Sequence, residues 1–152
     1  MKTNNIMRKI IVLSALLFLK FSAVFAQDEA AIKNMLQSHQ YIFIAQFALP
    51  MTGRSVSLTP DQSLIISGDS VIAYLPYYGT AYQAPLNPDD GGINFTSVKF
   101  NYASSKAKKD GWDISIVPKD IWSGQKLSLH ISSTGRATLQ VTSFYRQPIT
   151  FT

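Results

Sequence analysis

Ser63–Pro76 reads SLIISGDSVIAYLP, and its period decides the fold. Val71, Ala73 and Leu75 fall on one face of an extended chain, with Ile72 and Tyr74 on the other. Both arms are rich in β-branched residues, and Gly68-Asp69 between them matches the two-residue loop of a β-hairpin. Strands joined by so short a turn are antiparallel. Pro76 ends the second arm because it cannot donate to a ladder.

Moving outward, the period stays at two. WDISIVP (112–118) directs Trp112, Ile114 and Ile116 inward, KLSLHIS (126–132) Leu127, Leu129 and Ile131, and ATLQVTS (137–143) Ala137, Leu139 and Val141. HQYIFIAQFAL (39–49) puts Tyr41, Phe43, Phe47 and Leu49 on one face and Ile42 and Ile44 on the other, which predicts cover on both. In INFTSVKFNYAS (93–104) the phase slips by one, from Ile93 and Phe95 to Val98, Phe100 and Tyr102. That slip predicts a β-bulge. Asp110-Gly111 marks another turn, with a solvated hairpin tip of lysines before it. Only DEAAIKNMLQS (28–38) has helical spacing, at Ala31, Ile32, Met35 and Leu36, with Asp28 and Glu29 suiting the first turn.

The expected fold is therefore mainly β, with one short N-terminal helix followed by an antiparallel meander of about eight or nine strands. One-sided alternation requires the sheet to bury a face. A curled sheet or small barrel does so and removes edges as well; a two-sheet β-sandwich is the alternative. A single helical stretch excludes an α/β fold.

The first 26 residues stand apart. Lys2, Arg8 and Lys9 precede the apolar run IIVLSALLFL, and small residues lead to a cleavage site between Ala26 and Gln27. This is the pattern of a secretory signal peptide, too short in its apolar part for a typical membrane span. Residues 27–152 are expected to form one exported domain, periplasmic or secreted, with no stable membrane span once the signal is cleaved. Four of the 14 basic residues lie in the signal, which leaves 10 against 9 acidic ones, a net charge of +1. The precursor pI near 9.5 thus carries no case for nucleic acid. There is no cysteine, so packing alone must hold the fold.

The chain lacks the patterns that catalysis and metal binding need. His39 and His130 stand far apart in sequence, and no His-x-x-x-His or P-loop glycine pattern occurs. NPDDGG (87–92) has calcium-type oxygen donors but no closing glutamate, so it reads as a turn. No cofactor is expected, and no enzyme. Ser70, in Asp69-Ser70-Val71, matches a short bacterial O-glycosylation acceptor pattern and sits just after the predicted turn.

YLPYYGTAYQAP (74–85) remains, with four of the seven tyrosines. Together with GGINF, GWDISIVPKD and LQVTSFYRQPITF it resembles the domain of unknown function 4251 family, exported proteins found mainly in Bacteroidetes. The resemblance runs from about Met35 to Phe151 and implies export and a single envelope domain, with no catalytic residue to carry over. Aromatic content on an antiparallel scaffold suits a binding module for an apolar or lipid-like small molecule. Tyr74, Tyr77, Tyr78, Tyr82 and Arg146 are the candidate ligand residues. The alternative is a protein-interaction or structural domain of the envelope, with tyrosines as interface anchors. Arg146 beside aromatics also has a structural reading, stacking on a ring to close the end of the sheet.

Overall fold

The structure is a computed structural model that describes residues 29–83, 91–121 and 124–152. The signal peptide and its cleavage site at Ala26 and Gln27 lie outside the described residues, as does most of the NPDDGG turn. A helix, α1, covers 29–38. Eleven strands follow: β1 (Gln40–Ile44), β2 (Phe47–Pro50), β3 (Val56–Ser57), β4 (Ser63–Ser67), β5 (Ser70–Leu75), β6 (Ile93–Ser97), β7 (Phe100–Lys106), β8 (Trp112–Pro118), β9 (Lys126–Ile131), β10 (Ala137–Thr142) and β11 (Ile149–Phe151). They form two antiparallel sheets, one ordered β1-β4-β5-β6 and the other β3-β2-β11-β10-β9-β8-β7. The molecule is thus mainly β in two sheets, as the sandwich alternative has it, rather than a closed barrel.

The opening hairpin forms as its period requires. Ser67 pairs with Ser70 across Gly68-Asp69, and Val71, Ala73 and Leu75 are buried while Ile72 and Tyr74 face out. The inward sets of β8, β9 and β10 join the same core, where Ile116, Leu127, Leu139 and Phe151 are fully buried. From α1, Ile32 and Leu36 enter this core beside Tyr41 and Phe43. The helix therefore buries one face in the shared core. Ile42 and Ile44, expected to be covered, remain 60% and 51% exposed.

Two bulges account for how the chain moves between sheets. The 39–49 segment is two strands, not one, because Gln46 and Phe47 both donate their N–H groups to the Thr152 carbonyl, at 2.7 and 3.0 Å. Two donors on one acceptor insert an extra residue and flip the alternation. Ala45 and Ala48 are buried as a result, and Phe47 and Leu49, expected to share a face with Tyr41, point outward. The slip expected after Phe95 is also present, but falls later. Ser97 is the buried residue, Val98 is exposed, and Val98 and Lys99 both donate to one carboxylate oxygen of Asp120. The chain bends at each bulge from the four-stranded sheet into the seven-stranded one. These breaks, with the short β3 and β11, raise the strand number above the expected eight or nine.

Candidate functional site

The tyrosine stretch folds into a corner rather than a platform. After β5, residues 80–82 pair with 145–147: Tyr82 N–H donates to the Tyr145 carbonyl at 2.7 Å, and Gln147 N–H to that of Thr80 at 3.0 Å. The Tyr77 hydroxyl donates within the same corner, 2.9 Å from the Thr80 carbonyl and 3.1 Å from that of Gln147. Burial raises the Tyr77 pKa, and the nearby Arg146 charge partly offsets this. The Arg146 guanidinium lies over the Tyr77 ring, 5.0 Å from its centroid, and donates to the Gly92 carbonyl at 2.6 Å. Gly79 leaves room for the Tyr77 hydroxyl, since a Cβ at that position would stand 2.8 Å from it and push the Tyr77 ring aside.

Of the five candidate ligand residues, the structure brings together Tyr77, Arg146 and, by its backbone, Tyr82. Tyr78 is partly exposed and Tyr82 largely so, while Tyr74 faces out from β5 across from Ser63 and Asn94. Ser70 opens β5, half-buried, with its hydroxyl donating to the Ser67 carbonyl at 3.2 Å.

A well-formed concavity lies elsewhere. A cleft of about 750 Å³ opens along β1, with Met35, Tyr41, Ile42, Phe43, Ile44 and Phe47 on one side. Leu129 and Ile131 of β9 and Gly135–Thr138 at the start of β10 form the other side, and Thr152 stands at its end. None of the five candidate residues lines it. Among the described residues its lining is largely apolar, with Arg136 the one charged side chain.

The backbone of β1 adds a second property to the cleft. β1 is an end strand of its sheet, paired among the described residues only with β4. Just outside the ladder, Gly68 N–H donates to the His39 carbonyl and Ala45 N–H to that of Gln62. In an antiparallel pair the bonded positions alternate, so Tyr41 and Phe43 direct their backbone groups to β4. Those of Gln40, Ile42 and Ile44 point the other way, into the cleft. Beside β2 this same lane is occupied by β11, which ends at the bulge where Thr152 meets Gln46 and Phe47. Beside β1 the lane is vacant among the described residues. The sequence did mark Ile42 and Ile44 as apolar on a face opposite Tyr41. It could not show that no other strand or helix among the described residues covers them.

A polar feature sits on the outer face of the seven-stranded sheet. His130 Nδ1 lies 2.8 Å from Asp113 Oδ1, both solvent-accessible, next to a shallow depression of about 300 Å³ lined by Ser104, Ser105, Ser115 and Ser128. Alternation placed both residues outward, but pairing them required the β8–β9 register, in which Asp113 faces His130. Among the described residues there is no group of three or more side chains able to hold a metal ion. No described helix is long and apolar enough to cross a membrane.

No curated protein matches the chain. A crystal structure of a DUF4251 family protein from Bacteroides eggerthii DSM 20697 is similar to it with a TM-score of 0.56, at 16% identity, over 85% of either chain. At that identity the likeness shows the fold. A family model described as Domain of unknown function (DUF4251) matches residues 24–152, a span that takes in α1, both sheets and the whole β1 cleft. The chain belongs to the DUF4251 family.

Proposed function

We propose that this protein is an exported, non-enzymatic binding module of the bacterial envelope, and that its site is the cleft along β1. The observation that carries the reading is the cleft itself: about 750 Å³, lined mostly by Met, Ile, Phe, Tyr and Leu side chains. That is the size and composition of sites that hold apolar ligands. Export rests on the basic start, apolar run and small-residue cleavage site of the first 26 residues. The tyrosine corner is the weaker candidate, because Tyr77 and Arg146 spend their polar groups on backbone carbonyls within the fold.

The test is titration with the apolar dye anilinonaphthalene sulfonate. The mature protein is expected to bind the dye at one saturable site while fully folded. Ile44→Glu and Phe47→Glu alter half-exposed side chains of the lining and bring a negative charge against the dye's sulfonate, so they should abolish dye binding and leave the melting temperature within a few degrees. Absent binding, or binding undiminished in both variants, overturns the assignment of the site.

A further inference from the structure

The β1 cleft offers more than apolar surface. Along its floor the N–H and C=O groups of Ile42 and Ile44 point into the cleft, away from the β4 ladder. An alkyl chain lying there would keep water from these groups and leave them unpaired, which is unfavourable. A polypeptide strand would satisfy them, as β11 does for β2 in the same lane. β1 is five residues long, so the lane accepts about 17 Å of extended chain. The side chains that alternate with these backbone groups would meet Ile42 and Ile44 on one face and the Leu129–Ile131 side on the other. Among the described residues of the lining, Arg136 is the one charged side chain.

We infer that β1 binds its partner by strand addition: an extended segment of another polypeptide, alternating in apolar side chains and bearing a carboxylate opposite Arg136, occupies the lane beside β1. The inference rests on the cleft being the binding site and names what fills it. Main-chain hydrogen bonds supply affinity in this mode, and alternate side-chain pockets supply specificity. A second copy of the chain is a poorer occupant, since its own free strand, Gln40–Ile44, brings no carboxylate to Arg136.

Ile42→Pro tests the backbone pairing, and dye binding by the wild type tests separately the binding reading on which it rests. Proline removes one N–H and is tolerated on an edge strand where that N–H faces away from the ladder. The β1–β4 bonds of Tyr41 and Phe43 are untouched. A displayed library of random nine-residue peptides is selected against the wild-type protein and then against Ile42→Pro. The expected result is enrichment of peptides with alternating apolar residues and an acidic one, with at least tenfold weaker binding to Ile42→Pro. Ile42→Pro should keep its melting temperature within a few degrees of the wild type, and the wild type should still bind anilinonaphthalene sulfonate. In the wild type, peptide should slow hydrogen exchange at the Ile42 and Ile44 amides, which are expected to exchange quickly in the free protein. Arg136→Glu should shift selection toward basic peptides. No enrichment, or peptides that bind Ile42→Pro equally well, overturns strand addition even if the dye still binds. Protection of Ile42 and Ile44 that rises with protein concentration alone assigns the lane to a second copy and overturns the separate partner.

Discussion

Arg146 sits where a cation meets a ring face and two carbonyls at once. Its guanidinium stacks over Tyr77 at 5.0 Å and donates to Gly92, while Tyr77 ties Thr80 to Gln147. These contacts join the segment after β5 to the one before β11, so a single side chain spans two parts of the chain far apart in sequence. A charge-assisted hydrogen bond and a cation–π contact together contribute about 2 kcal/mol. Arg146→Ala should therefore lower the melting temperature by several degrees. Arg146→Lys should recover only part of the loss, because an ammonium cannot stack as the planar fork does. Calorimetry on the three proteins checks this. An unchanged melting temperature in Arg146→Ala would remove the structural role and return the residue to the ligand candidates.

At the scale of elements, the bulges decide where strands stop, and they also mark how far the sequence could be read. Alternation is a local property, so the hairpin at 63–75 and the inward sets of β8, β9 and β10 were legible. The bulge near Val98 announced itself as a phase slip. The one at Gln46-Phe47 did not, because Ile42, Ile44, Phe47 and Leu49 leave no polar residue to betray a change of face. Its cause is the Thr152 carbonyl, more than a hundred residues away in sequence, which no local pattern contains. The β1 cleft was hidden for the same reason, since both its walls depend on strand order. Asp120 was overlooked too, although it accepts from Ser97, Val98 and Lys99 and so holds the β6–β7 bend. The Ser97 hydroxyl, then the Val98 N–H, keep its carboxyl below the ordinary value of 3.8. A folded-state pKa lowered in this way adds stability that is complete above the unfolded value and fades as pH falls through the folded one. Asp120→Asn should thus melt several degrees lower at neutral pH and lose less stability than the wild type on acidification below about pH 4. Parallel acid limbs for the two proteins would show that the carboxylate does not hold the bend.

For the whole molecule, the question is what ties the two sheets together besides their shared apolar core. Tyr41 on β1 and Tyr102 on β7 belong to different sheets, and their hydroxyls lie 3.1 Å apart. The His39 ring packs on Tyr102 with centroids 4.1 Å apart, and Lys106, at the end of β7, reaches Glu29 of α1 at 2.9 Å. Helix, end strand and far strand thus converge at one side of the sandwich. Burial, then the hydrogen bond to Tyr102, pushes the Tyr41 pKa far above the ordinary tyrosine value of 10.0, and burial raises Tyr102 as well. A raised folded-state pKa contributes stability that is intact below the unfolded value and is lost as pH climbs through the folded one. Above about pH 10 the unfolded chain ionises these phenols while the native protein holds their protons, so alkali favours unfolding. For Tyr41 the loss approaches, at most, about 1.4 kcal/mol per pH unit. Lysines and the more exposed tyrosines titrate in the same range, so the informative quantity is the difference between proteins. Urea unfolding of the wild type and of Tyr41→Phe, measured from about pH 8 to 11, should give a steeper alkaline decline for the wild type. Because the substitution also removes one side of the hydroxyl contact, Tyr41→Phe should start less stable at pH 8 and close the gap as pH rises. Two curves that stay parallel would mean that Tyr41 ionises in the native state, and that the contact between the sheets at this side is open to water.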